Sequence, residues 1–254
     1  MKVTNTNKDS WNLHAERFYT EDYLSLDDID FDSYDYPTEK DINIIGDVKG
    51  LTALEIGSGS CNCGIALARK GARVTCSDIS IEQLKIGEKV AKKAGVNIAT
   101  VCSDMADLSF AVPSSFDLVI SMSAINYSDN YNKVCSEVSR VLKQGGRFIY
   151  SVPHPFLMCV GATELWPHEN ANPNYSYVGP IQWKWNEEDD YIFTTYRMKM
   201  SDYVNGLAAS NLLVKRMEEL FPHSYTLGGD DFDENERVIR RRYPSVLVID
   251  AVKI

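Results

Sequence analysis

From residue 50 to residue 152, short apolar runs alternate with stretches of helical periodicity, and few folds accommodate such a chain. The runs are LTALEIG, ARVTCSD, NIATVCSD, FDLVIS and RFIYSV. Runs this continuously apolar mark parallel strands covered on both faces. Between them lie CGIALARKGA, stopped at Gly71, and IEQLKIGEKVAKKAG, capped by Ser80 and closed by Gly95. NKVCSEVSRVLKQGG is a further helix, expected to run to its glycine pair. Strands that alternate with helices build a parallel sheet with helices on both faces, and such sheets bind ligands beyond the carboxyl ends of their strands.

The flanking regions are less regular. Trp11, Ala15, Phe18 and Tyr19 recur at helical spacing and predict a short amphipathic helix over 8–20. Residues 21–37 mix acids and aromatics and read as an ordered, irregular surface segment. Residues 153–190 carry five prolines together with Trp166, Tyr175, Tyr177, Trp183 and Trp185. A loop of that length is either functional or disordered, and its aromatics argue against disorder. SDYVNGLAASN predicts a helix, and LLVKRMEE and YPSVLVIDAVKI predict strands. The polar stretch 223–243 between those strands reads as an extended, mobile connection.

Composition excludes several function classes. A net charge of -10 opposes binding to nucleic acid, whose affinity comes largely from neutralised phosphates. The Arg240-Arg241-Arg242 run reads as a solvated face. The six cysteines show no repeated zinc spacing and no disulfide framework, so buried, reduced thiols are expected and no metal site. The N-terminus lacks the apolar core of a signal peptide, and no run is long enough to span a bilayer. A soluble, cytoplasmic protein with no membrane and no nucleic-acid partner is expected.

The first strand turns through Glu55-Ile56-Gly57-Ser58-Gly59-Ser60-Cys61. Glycines there let the backbone turn sharply and approach a ligand closely. Asp78 ends the second strand, where a carboxylate can accept both hydroxyls of a ribose. Asp104 and Met105 follow the third strand and can hold an adenine, the acid on its amine and the thioether over its ring. The alternative is structural: glycines serving a turn, and Asp78 with Ser80 capping a helix. A dinucleotide is disfavoured, because the third glycine position of GxGxxG is Asn62 and Glu55 would repel a pyrophosphate. Glu55 suits a ligand bearing an amine and a positive sulfonium.

With LEIGSGSCNCGIALARKGARVTCSDIS, CSDMADLSF, FDLVISMSAINY and EVSRVLKQGGRFIYSVPHPF, the chain resembles the class I S-adenosylmethionine-dependent methyltransferases of the bacterial small-molecule (type 11-like) group. The resemblance is strong over 50–155 and looser toward the C-terminus. It departs from the family at Cys61, where a third glycine usually stands. It implies a Rossmann-like, doubly wound α/β fold: a mostly parallel seven-stranded sheet, helices on both faces, the last strand antiparallel and an aromatic insertion after strand five. One domain is expected, with an N-terminal cap (1–49), a cofactor-binding core (50–152), an insertion or lid (153–200) and a completion of the sheet (201–254). The implied cofactor is S-adenosyl-L-methionine, giving S-adenosyl-L-homocysteine. Its implied contacts are Glu55, Gly57, Ser58 and Gly59 at the methionine end, Asp78 and Ile79 at the ribose, and Asp104 and Met105 at the adenine. Ser121 is implied beside the methionyl amine, and Tyr19 as a cover over the cofactor.

Methyl transfer from a sulfonium needs mainly an acceptor that is positioned and desolvated. His154, after strand five in SVPHPF, is the candidate base; the alternative is a histidine that orients the following loop. Tyr127 is either a second catalytic group or a pocket wall. The aromatic insertion reads as an acceptor wall or lid, or equally as a satellite core. A small-molecule methyltransferase acting on O or N rather than C is the leading expectation, with a homodimer left open. A peptide or protein methyltransferase and a non-catalytic cofactor-binding protein are the alternatives.

Overall fold

The computed structural model describes residues 3–18, 26–32, 36–164, 173–184, 191–223 and 234–254. Side chains along the strands point alternately to opposite faces, and this alternation sorts the core into two layers. In β1 (Thr52–Ile56), Ala53 packs on one face while Leu54 and Ile56 pack on the other. In β4 (Phe116–Ser121), Leu118 and Ile120 join Ala53, and Val119 joins Leu54. The first face is covered by α3 (Asn62–Arg69) and α4 (Ile81–Lys93), through Ile65, Leu67, Leu84 and Val90. The second is covered by α5 (Tyr131–Val141) and α7 (Met200–Ala209), through Val134, Val138, Tyr203 and Leu207.

With β2 (Arg73–Asp78), β3 (Ile98–Cys102), β5 (Leu142–Pro153), β8 (Leu212–Leu220) and β9 (Val246–Lys253), the sheet has seven strands in the order β3-β2-β1-β4-β5-β9-β8. β1 to β5 are parallel, and β9 runs antiparallel between β5 and β8. This is the doubly wound, Rossmann-like sheet with its antiparallel last strand. The N-terminal stretch forms α1 (Val3–Phe18) and the short α2 (Glu39–Ile42).

Four local expectations are corrected. The helix α5 ends at Val141, and Leu142 is already paired with Phe116, so the glycine pair lies in the strand. The segment read as surface sends three side chains inward: Ile29, Phe31 and Tyr36 are buried in the first core layer. The region after β5 is not only loop, because it holds α6 (Pro155–Glu164) and β6 (Gly179–Trp183), which pairs with β7 (Phe193–Arg197) as a separate antiparallel hairpin. The stretch read as an extended connection contains α8 (Glu234–Arg242), where Arg240 meets Glu236 one turn earlier at 2.8 Å.

Candidate functional site

Parallel registers bring the strand tips to one edge, with Ile56 opposite Ser77, Glu55 opposite Ile120 and Asp78 opposite Cys102. The glycine turn follows β1 directly. Gly57 has φ +61°, and a Cβ there would fall 2.5 Å from Ala124 Cβ and 3.1 Å from Met105 Cε. The loops after β1, β3 and β4 therefore meet at a point that tolerates only glycine.

Asp78 joins this turn to α4. Its Oδ2 accepts the Gly59 N–H and its Oδ1 the Ser80 N–H, each at 2.8 Å. Burial pushes its carboxyl above the usual range, opposed by the N–H groups of Ser80, Gly59 and Ile79. Asp78 thus holds the cap residue Ser80 in place, and each of its oxygens keeps a further lone pair. Ser80 caps the same helix by accepting from the Gln83 N–H. Ile79, half-buried between them, takes the Cys102 thiol on its carbonyl at 3.5 Å.

Glu55 is turned toward α3. Its Oε2 accepts the Gly64 N–H at 2.8 Å and the Cys76 thiol at 3.5 Å, and the side chain is only 3% exposed. Burial raises its pKa to about 8, so at neutral pH it is mostly the neutral acid. Ser121, fully buried, donates its hydroxyl to the Ile56 carbonyl at 2.9 Å and pins β4 to β1. Ser58 donates its N–H to the Ser77 carbonyl at 3.1 Å. Asp104 is half-buried, with Oδ1 accepting the Ala106 N–H at 2.9 Å. Tyr19 lies outside the described residues, as do Trp166 and Trp185.

Sequence reasoning expected an N-terminal cap but missed the contacts by which α1 reaches this edge. Asn12 of α1 accepts the Ser80 hydroxyl on its Oδ1 at 2.8 Å, beside Asp78. On the same helix, Asn7 exchanges two bonds of 2.8 Å with the Thr194 backbone of β7, and Ser10 donates to the Ile192 carbonyl. α1 therefore bridges the start of α4 to the hairpin. Beneath it Trp11, His14, Tyr127, Trp183, Tyr191 and Phe193 form one aromatic cluster; the Trp183 and Phe193 rings stack at 4.8 Å and those of Trp11 and Tyr127 meet edge-on at 5.4 Å. Another missed group is Asp32, which accepts the Ser123 hydroxyl at 2.6 Å where β4 ends. The amphipathic pattern over 8–20, the expected N-terminal cap and the aromatics of the insertion were the signals of this roof in the sequence.

Tyr127 stands in the cluster wall, and burial, then Asp32, holds its phenol protonated far above neutrality. His154 is completely buried, with both ring nitrogens engaged. The Phe156 N–H donates to Nδ1 at 3.2 Å, which leaves the ring proton on Nε2, facing Glu219 Oε1 at 2.9 Å. Burial lowers its pKa, opposed by Glu219. This is the loop-orienting arrangement, at the start of α6. A shallow depression lies alongside, lined by Asn126, Pro153, Met158, Thr195, Met198 and Tyr203 among others. Among the described residues no cluster of His, Cys, Asp and Glu is arranged to hold a metal, and no helix is long and apolar enough to cross a membrane.

The methyltransferase domain family matches residues 54–150. An uncharacterized methyltransferase of Bacillus subtilis (strain 168), YbaJ, is 37% identical over 108 residues, 42% of each chain. A ubiquinone biosynthesis O-methyltransferase of Chromobacterium violaceum is 28% identical over 104 residues, 41% of this chain and 45% of that one. In both cases the aligned part spans less than half of the relative's length. The crystal structure of an S-adenosylmethionine dependent methyltransferase from Mesorhizobium loti superposes with a TM-score of 0.66 at 22% identity, covering 81% of this chain and 92% of that one; it shares the fold.

Proposed function

Because the chain carries an S-adenosylmethionine-dependent methyltransferase domain, we propose that it methylates a small molecule at oxygen or nitrogen. The observation that supports this best is Asp78, a buried acid that ties the glycine turn to α4 at the edge where the strand tips converge. The residues fit the cofactor. The turn is open at Gly59, where a Cβ would meet nothing closer than Gln83 Oε1 at 3.9 Å, Asp78 has lone pairs to offer ribose hydroxyls, and Asp104 with Met105 is the pair proposed for the adenine. Glu55, Ser58, Ser121 and Ile79 shape the turn from behind, through the bonds they make to it and to the strand tips.

The cofactor supplies a methyl group already activated on a sulfonium. The chain's own task is to orient the acceptor and keep water away. Tyr127 and the aromatic cluster under α1 wall the acceptor side, and His154 positions the start of α6. With Tyr127 held protonated and both nitrogens of His154 engaged, the described residues suit an acceptor that reacts without a strong base. The acidic chain counts against a nucleic-acid acceptor, and a peptide is the alternative.

Calorimetric titration with S-adenosylmethionine and S-adenosylhomocysteine, followed by a metabolite screen for S-adenosylhomocysteine release, tests the proposal. Binding of both together with acceptor-dependent release supports it. No affinity for either overturns it, and binding without any turnover points to a non-catalytic cofactor-binding protein.

A further inference from the structure

Asn126 Oδ1 is a buried side-chain atom without a hydrogen-bond partner, and Asn126 lines the cleft. Asn126 is 8% exposed, and an unsatisfied amide at such a depth is costly, so a chain that retains one has a use for it. Its position gives the use. Two residues before it, Ala124 packs against Gly57 in the cofactor turn. The same cleft is lined by Thr195 of β7, Tyr203 of α7 and Pro153, where β5 ends. Asn126 therefore sits between the glycine turn and the residues that line the cleft.

Resting on the methyltransferase reading, we propose that Asn126 Oδ1 accepts a hydrogen bond from the atom that receives the methyl group. The acceptor is then a small amine or hydroxyl compound, because a carbon acid or a thioether has no comparable donor to offer. The nitrogen or oxygen lone pair forms the new bond to the methyl carbon as the methyl–sulfur bond breaks, and that bonding pair stays on sulfur as a neutral thioether. Asn126 cannot take up the displaced proton, so it leaves to solvent after transfer. The amide aims the lone pair and does no acid–base work.

The test uses the full chain, with Asn126→Leu as a near-isosteric apolar replacement and Asn126→Ala as a second variant should leucine disturb folding. Three quantities are read: melting temperature, S-adenosylmethionine affinity by calorimetry, and S-adenosylhomocysteine release. The acceptor panel contains primary and secondary amines, phenols, thiols and 1,3-diketones. Turnover is expected with amines or phenols, and kcat/KM should fall at least 100-fold in the variants. Cofactor affinity should stay within twofold, and the leucine variant should melt no lower than the parent. The inference is overturned by variants that keep a third or more of kcat/KM, or by turnover confined to thiols or diketones. It is also overturned by loss of melting temperature and cofactor affinity together, which would make Asn126 structural, or by cofactor binding with no turnover across the panel. A parent protein that does not bind the cofactor overturns the methyltransferase reading itself, a result distinct from all of these.

Discussion

The Cys61 thiol lies in the hollow that Gly87 leaves in α4: a Cβ at Gly87 would fall 2.5 Å from Cys61 Sγ and 2.9 Å from the Ser60 carbonyl. Cys61 has φ +63°, a left-handed conformation that favours glycine, and it stands where the family resemblance anticipates one. Its side chain is tolerated because it turns away from the ligand edge into α4, where it is fully buried. The missing third glycine has in effect moved to position 87.

Gly87→Ala should therefore press on the cofactor turn. Overpacking of this kind costs about 1–3 kcal/mol, against roughly 1 kcal/mol regained in helix propensity. The expected result is a lower melting temperature and weaker S-adenosylmethionine binding. Cys61→Gly should restore both in the double variant, because the two residues are in contact. A cycle showing simple additivity would contradict the packing argument.

Glu55 makes stability fall with rising pH. Its carboxyl is raised to about 8 in the fold by burial, whereas the unfolded chain titrates near 4.5. Between those values the native state holds a proton that the unfolded state has released, so stability is full below 4.5 and is lost as pH rises through 8. Glu55→Gln keeps an acceptor for the Gly64 N–H and removes the titration. Urea unfolding of the variant should show a flatter pH dependence across this window than the parent, and equal slopes would reject the assignment.

The sheet was legible because buried parallel strands must be apolar on both faces, and LTALEIG or FDLVIS can serve nothing else as well. The turn was legible for a related reason: glycines and an acid at the strand tips have few alternative uses. What escaped is tertiary. Asn7 meets Thr194, 187 positions away, and Asn12 meets Ser80, 68 positions away, and neither contact leaves a local pattern. α8 was hidden because charged pairs such as Arg240 with Glu236 hold it together instead of an apolar stripe, with Ile239 its buried contact. Ile29, Phe31 and Tyr36 were masked by the acids among which they stand. For His154 the residue and its place after strand five were legible, whereas its bonds from Phe156 and to Glu219 were not.

Asp78→Asn separates the two duties of that residue. Asparagine keeps one acceptor oxygen and places an amide N–H₂ against either the Gly59 or the Ser80 N–H, both of which the carboxylate satisfies. Losing a charge-assisted bond costs roughly 1.5–3 kcal/mol, so S-adenosylmethionine affinity should drop about 10- to 100-fold. Unchanged affinity by calorimetry would remove Asp78 from the cofactor site.

Trp183→Ala tests the aromatic wall. Trp183 stacks on Phe193, which packs in turn against Trp11, and none of these rings belongs to the glycine turn. The substitution should raise the KM of the acceptor about tenfold while cofactor affinity changes less than twofold, since only apolar stacking on one side of the site is lost. Equal loss of both affinities would make the cluster a common scaffold and not an acceptor wall.

Asn7→Ala should loosen the roof without touching the sheet. Its amide donates to the Thr194 carbonyl, accepts the Thr194 N–H and reaches the Tyr127 carbonyl at 3.3 Å, all from a side chain only 3% exposed. Alanine leaves those backbone groups without their partner, at about 1–3 kcal/mol. That loss bears on α1 and β7, because the sheet's own ladders do not run through Asn7. Hydrogen exchange should therefore quicken over residues 7–15 and 193–197 while β1, β4 and β5 keep their protection. If exchange rose evenly across the sheet as well, α1 would be an inseparable part of the core and could not act as a cover that opens for the cofactor.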